Sequence, residues 1–450
     1  MKITKIGSVI LFALIILTPL CTFNFETNAA SSIDNRMLTE NPLTLEGDLT
    51  QNIQQYVNDR IGFRDEMITA YTVLNDRAFG KMVHPSYNYG KDGYVFGAGI
   101  TTYNDFGDYH IAFADMVKSM QDYCEARSVP FLFVLNPAKP AIYQDKIANG
   151  INYNREWVDL FFKELDDRGV NYLDNTETML ALRNTNSDGF NRKFDANHWN
   201  YNGAFYGTQR ILEKMQEQIS TIHVNELSEF SVSQKLETSL LVSNFPIEEY
   251  VPAITLDTPY KNLADSYTPE LVLHPSFQGF GYFVNSQRQN EKTPKALVFQ
   301  GSYINGYGTE FFINAFHEYI FVHDYQNVIN FPYYFNIFQP ECVIFEVAEY
   351  TFSNTYFDYE KMKAINFNPP LSTLEKNMYA CIDSKQEDLT IEEGNTLTKI
   401  TWNTEQVYPH VWIELDNTYD MLKVEGGYQV TIETNRYESA ENSINIYYSI

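Results

Sequence analysis

Asp195 and His198 stand three residues apart in RKFDANHWNY (residues 192–201), directly ahead of a helical pattern. At that spacing a carboxylate can hold one imidazole nitrogen and leave the other free to take a proton near neutral pH. The chain has only 8 histidines, which makes this one worth following. Such a base needs a nucleophile. Ser302 offers one in VFQGSY (residues 298–303), where an apolar strand pattern meets a Gly-Ser turn and a helix follows. A serine on such a turn is presented for attack, and backbone N–H groups near the following helix can stabilise an oxyanion. The pair suggests a triad of Ser302 as nucleophile, His198 as base and Asp195 as orienter. Each piece has an ordinary alternative. Asp and His at a helix start also serve as caps and surface groups, and most Gly-Ser pairs are simply turns.

Chemistry of this kind sits beyond strand C-termini in an α/β sheet, and the surrounding pattern provides one. Residues 129–135 are a continuous apolar run closing on Asn136-Pro137, the signature of a buried parallel strand. Ala112–Ala126 places Phe113, Met116, Val117, Met120 and Tyr123 on one helical face. A helix over 155–168 ends at Gly169, and 170–174 reads as the next strand. After His198 a helix runs to Ile219 with Asn202 as its cap. A strand over 296–299, a helix over 309–319 and a strand over 342–347 follow. This alternation predicts an α/β fold. Upstream, YNYGKDGYVFG (87–97) reads as a hairpin turning at Lys91-Asp92-Gly93, and Thr50–Phe79 has helical periodicity. Residues 31–50 read as a polar lead-in, and 225–290 give few signals. From Leu371 alternating strands take over (410–415, 428–432, 443–447) with no helix, which predicts a small C-terminal β-sandwich.

At 450 residues the chain is long enough for two domains. Its net charge of −26 argues against nucleic acid as a partner, because phosphate binding needs clustered Lys and Arg. Lys2 and Lys5 precede an apolar run from Ile6 to Phe23, and Ala29-Ala30 follow where a peptidase can cut. Residues 1–30 therefore read as a signal peptide or an N-terminal membrane anchor, and the protein as extracytoplasmic, secreted or tethered. Residues 31–368 form the α/β domain and 369–450 the β-rich one. Without the leader, three of the 4 cysteines remain, with no disulfide framework and no zinc spacing. Cys124 and Cys342 lie in apolar patterns and read as buried thiols.

Five blocks in order carry a resemblance. IGFRDEMI has Phe63-Arg64, YGKDGYVF has a hairpin with Tyr94 in place of Trp, and NPAKPAIYQDKI has Pro137, Lys139 and Tyr143. DANHWNYNGA and VFQGSY complete the set. Over roughly residues 50–355 the chain resembles the alginate-acetylation-type SGNH hydrolase-like O-acetyltransferases, the DHHW family. The order Asp, His, Ser is the permuted one of that family. The resemblance implies an SGNH-like sheet with flanking helices, acetyl carried as an ester on Ser302, and a polysaccharide acceptor outside the cytoplasmic membrane. It further implies a membrane-bound O-acyltransferase as acetyl donor and no metal or soluble cofactor. Trp199, Lys139, Tyr303 and Asn136, in or beside the blocks, are candidate substrate contacts. The chain departs from the family pattern in three places. Its Asp-x-x-His has one residue more than the usual Asp-x-His-Trp, Gln300-Gly301-Ser302 differs from Gly-Asp-Ser, and Glu349-Tyr350 stands where an Arg is expected. A carbohydrate acetyl esterase uses the same triad with water as acceptor. A non-catalytic glycan-binding protein on the same fold is the third reading, and the β-rich tail reads as either a carbohydrate-binding module or a structural appendage.

Overall fold

The apolar runs at the centre of the molecule are strands because their side chains divide between two buried layers. Phe131, Phe133 and Leu135 enter one core, and Leu132 and Val134 the other. Leu297 and Phe299 separate from Ala296 and Val298 in the same way. The structure is a computed structural model that describes residues 2–27, 29–31, 33, 37–45, 47–84, 86–97, 99, 105–241, 245–383, 389–439 and 444–449. The strands up to residue 348 are, in chain order, β1 (Tyr87–Tyr89), β2 (Val95–Gly97), β3 (Phe131–Asn136), β4 (Tyr172–Asp174), β5 (Phe230–Ser239), β6 (Pro246–Leu256), β7 (Lys261–Asn262), β8 (Phe280–Val284), β9 (Lys295–Gln300), β10 (Glu318–His323) and β11 (Cys342–Ala348).

The central sheet has the order β4-β3-β11-β9-β10-β8-β7. The strands from β4 to β10 are parallel, and β8 and β7 add antiparallel at one edge. Helices Asp108–Glu125, Glu156–Asp167 and Phe331–Phe338 cover one face. Helices Tyr201–Gln216, Ser302–Tyr307 and Thr309–Ala315 cover the other. This is the α/β, SGNH-like arrangement expected, and Cys124 and Cys342 are buried within it.

Several boundaries differ from expectation. The helix after His198 ends at Gln216, and its cap is Asn200, whose side chain accepts from the N–H groups of Asn202 and Gly203. The helix expected to reach Tyr319 stops at Ala315, because Glu318–His323 pairs with β9 on one side and β8 on the other. The periodic run 50–79 is two helices broken at 61–63, where Phe63 takes a left-handed conformation (φ 59°). The quiet stretch 225–290 contains a long two-stranded ribbon, β5 with β6. Its β5 side chains are nearly all exposed, so no buried face imposes an apolar alternation.

Beyond residue 378, two four-stranded antiparallel sheets enclose Ile400, Trp402, Val411, Ile413, Val430, Ile432 and Ile446. Strands Val411–Glu414, Gly427–Glu433 and Asn445–Ser449 lie where strands were expected, residue 443 of the last expectation lying outside the described residues, and a short helix, Thr434–Ser439, occurs where none was expected. This β-rich part is fastened to the α/β part. Asp420 accepts from Arg127 Nη2 at 2.9 Å, and Glu270 accepts from the N–H groups of Asn395, Thr396 and Leu397 at 3.0, 3.2 and 2.7 Å. Among the described residues no helix is long and apolar enough to cross a membrane.

Candidate active site

Parallel strands end together, and three of those ends meet here. β9 runs out at Gln300, after which Gly301 turns the chain and Ser302 opens a helix. β11 runs out at Ala348, followed by Glu349 and Tyr350. β3 runs out at Asn136. The loop ahead of helix Tyr201–Gln216 brings Asp195 and His198 over these ends. Glu249 on β6 holds that loop, accepting from the N–H groups of Arg192, Lys193 and Phe194 at 2.8, 3.0 and 2.6 Å. Asp195 then takes φ +50°, a left-handed conformation that Asp tolerates, and its carboxylate folds back to accept from the His198 N–H at 3.1 Å. The β1–β2 hairpin abuts the same loop, so that a Cβ on Gly97 would lie 1.9 Å from Asn197 Oδ1.

A continuous polar chain results. His198 Nδ1 lies 2.7 Å from Asp195 Oδ1, and His198 Nε2 lies 2.9 Å from Ser302 Oγ. Asp195 is buried, and Tyr307 donates to its second oxygen at 2.6 Å. Burial alone would raise the Asp195 carboxyl, but His198, Tyr307 and the His198 N–H together hold it below the usual carboxylate range. With the carboxylate on Nδ1, the imidazole carries its proton there and offers the Nε2 lone pair to Ser302. The Tyr350 hydroxyl lies 2.7 Å from Ser302 Oγ and 3.2 Å from His198 Nε2. The ring as a whole is partly exposed, but the hydroxyl points inward, and desolvation there raises its pKa and keeps it neutral. Ser302 and His198 open into a cleft of about 680 Å³, walled by Tyr201 and Tyr307 on one side and by the ribbon residues Lys235, Glu237 and Pro252 on the other.

Behind the nucleophile, the buried Glu346 of β11 accepts from the Gly301 N–H at 2.8 Å and from Asn136 Nδ2 at 2.7 Å. Burial, with Asp324 nearby, pushes its carboxyl up to about 8. A raised folded-state pKa gives stability that is complete below the unfolded value, about 4.3 for Glu, and that is lost as pH rises to about 8. The parent should therefore lose stability between pH 5 and 8. Glu346→Gln should lose less over that interval, by on the order of a few kcal/mol. Urea denaturation at the two pH values measures the difference, and equal losses would count against this reading.

The four candidate substrate contacts lie elsewhere than expected, because all four are fully buried. Trp199 packs on Gly207, where a Cβ would come within 2.4 Å of its ring, and donates to the Tyr303 carbonyl at 2.8 Å. Tyr303 in turn donates to the Asn197 carbonyl at 2.8 Å. The two residues lock the His198 loop to the Ser302 helix. Lys139 donates to the carbonyls of Val95 and Arg192 at 2.8 and 3.2 Å, and burial brings its amine down to about 8. Asn136 accepts from Asn175 at 2.8 Å and donates to Glu346. These side chains hold the walls of the site and do not face the cleft. Sequence reasoning missed Tyr307, Glu346, Glu249 and the ribbon. Tyr350 had a signal, since it stands where the family pattern has an Arg.

Among the described residues no cluster of His, Cys, Asp or Glu is arranged to hold a metal ion. Comparison with curated proteins finds no match. Among solved structures, PatB1 of Bacillus cereus with a sulfonyl adduct aligns at 16% identity over 60% of this chain and 96% of that one, with TM-score 0.45. A DHHW family protein from Eubacterium siraeum aligns at 17% over 63% and 97%, with TM-score 0.43. The O-acetyltransferase domain of Pseudomonas putida AlgJ aligns at 14% over 62% and 99%, with TM-score 0.43. The family model described as the SGNH hydrolase-like domain of acetyltransferase AlgX matches residues 88–245, a stretch that includes Asp195 and His198 and stops short of Ser302. Residues 88–245 are thus similar to the SGNH hydrolase-like domain of acetyltransferase AlgX, in line with the resemblance of the sequence blocks.

Proposed function

We propose that the chain is an extracytoplasmic O-acetyltransferase that carries acetyl on Ser302 and delivers it to a hydroxyl of a polysaccharide. The observation that supports this reading is the hydrogen-bonded chain Asp195–His198–Ser302 opening into a cleft. Ser302 Oγ attacks the carbonyl carbon of a donor acetyl ester and passes its proton to His198 Nε2. The oxyanion is met by the Ser302 backbone N–H, at a helix start that has no carbonyl one turn earlier, and by the Tyr350 hydroxyl. Collapse breaks the bond to the donor oxygen, which takes the proton from His198. A glycan hydroxyl then gives its proton to His198 and attacks the acetyl ester, and Ser302 Oγ leaves and recovers the proton. In line with the family resemblance, the donor is a membrane-bound O-acyltransferase.

The test uses 4-nitrophenyl acetate as donor and a panel of soluble oligosaccharides as acceptors. Mass spectrometry of acid-quenched protein should find acetyl on Ser302, and the sugars should gain acetyl faster than free acetate forms. Release of acetate alone with every sugar would make the chain an esterase. Absence of any acyl turnover would favour a glycan-binding protein. Tyr350→Phe removes one oxyanion donor, for which a loss of about 10²-fold in kcat is expected with KM little changed. A rise in KM at constant kcat would instead make Tyr350 a substrate contact.

A further inference from the structure

The N-terminal helices α1 (Lys2–Cys21), α2 (Leu49–Arg60) and α3 (Arg64–Phe79) present apolar residues outward. The inward side of α3 is fastened to the body. Thr72 donates to the Val83 carbonyl at 2.6 Å, Asp76 accepts from Tyr89 at 2.7 Å, and Val73 packs on the Met82–Tyr87–Val95 cluster. Its outward side is a stripe of Met67, Ala70, Tyr71, Leu74 and Ala78, all exposed, spaced i, i+3, i+4, i+7 and i+11. On α2, Leu49, Ile53 and Val57 are exposed at spacing four. A helix of a water-bathed surface shows the reverse pattern.

We infer that the outer faces of α2 and α3 lie against a lipid bilayer and hold the catalytic domain on its surface. The occupant follows from α1. Its apolar side chains from Ile6 to Leu20 are 50–66% exposed on every side of the helix, so what surrounds it must be apolar in all directions. A second copy of the chain would cover only one side. The end of α1 is fixed to the α2–α3 elbow, where Gly62 N–H donates to the Pro19 carbonyl at 2.9 Å and Asn24 N–H to the Arg60 carbonyl at 2.8 Å. The phase that takes up α1 therefore meets α2 and α3. Both stripes lack charge and the chain carries −26, so the contact rests on apolar burial and not on attraction to anionic headgroups. This inference goes beyond the proposed reaction and does not depend on the triad.

The test places the full-length Leu74→Trp variant on phosphatidylcholine vesicles with plain or acyl-brominated chains. The four native tryptophans, Trp157, Trp199, Trp402 and Trp412, are buried and give a background that lipid does not reach. The added Trp should shift its emission to the blue on plain vesicles and lose intensity on brominated ones, unchanged by high salt. Vesicle-bound protein whose added Trp is neither shifted nor quenched would overturn the proposal. So would a blue shift that appears without lipid and grows with protein concentration, since a second copy would then cover the face.

Discussion

Ser302→Ala should abolish acetyl-enzyme formation and lower acyl turnover by about 10⁴-fold or more. In the proposed reaction this hydroxyl is the nucleophile. Its oxygen lies 2.9 Å from His198 Nε2 and 2.7 Å from the Tyr350 hydroxyl, at the mouth of the cleft. Removing it leaves His198 with no serine hydroxyl to activate and no oxygen to carry the acetyl ester. The fold should survive, because Ser302 is only half-buried and its side chain bonds to no structural partner beyond those two. Circular dichroism and urea denaturation of the variant should match the parent within about 0.5 kcal/mol, as for a substitution away from the core. Retention of the parent rate, or of an acetylated peptide containing residue 302, would mean that another group carries the acyl chain. His198→Ala should cost nearly as much, since the two residues act as one unit.

The parts of this site that the sequence makes legible are those with local signals. The Asp195-to-His198 spacing is short-range, and the Gly301-Ser302 turn follows an apolar run, so both stand out in a linear reading. Strands β3, β9 and β11 are equally plain, being buried on both faces and hence apolar throughout. Trp199 and Tyr303 were legible as important but not in their role. A large aromatic beside a catalytic residue reads the same whether it faces a sugar or the core, and only the close packing on Gly207 decides between them. Glu249 and the ribbon could not be read at all. β5 has both faces in water, so it shows no alternation, and the Glu249 contact to the loop at 192–194 is more than fifty residues away along the chain. Glu318 and Tyr319, the start of β10, read as the end of a helix because the strand character there comes from a neighbour on each side in the sheet.

Asp195→Ala should be nearly as severe as loss of the base, with turnover down roughly 10⁴-fold, while Asp195→Asn should retain more activity than the alanine variant. The difference follows from which acceptors the side chain supplies. Asp195 Oδ1 receives His198 Nδ1 at 2.7 Å and the backbone N–H groups of His198 and Asn197 at 3.1 and 3.4 Å, whereas Oδ2 receives the Tyr307 hydroxyl at 2.6 Å. An asparagine can keep its oxygen at the first position, where three donors hold it, and turn its amide toward Tyr307, whose hydroxyl can also accept. His198 then keeps its Nδ1 proton and its orientation, and what is lost is the negative charge that stabilises the imidazolium. Asparagine also accepts the φ of +50° at this position, whereas alanine pays about 1–2 kcal/mol there. Tyr307→Phe in the Asn background should cost stability more than rate, because it removes the acceptor of the buried amide while the oxygen that holds His198 stays in place. The measurement is pre-steady-state acetylation by 4-nitrophenyl acetate for parent, Ala, Asn and the double variant, beside denaturation curves. Because the Asp195 carboxyl is held below the usual range, its contribution to stability is present above about pH 4 and lost only as pH falls below that. The parent should thus be more stable than the Asn variant above about pH 4, with the two converging in stability under strong acid. Equal damage in Ala and Asn would assign the whole effect to charge, and parent-like rates in Ala would remove Asp195 from the reaction.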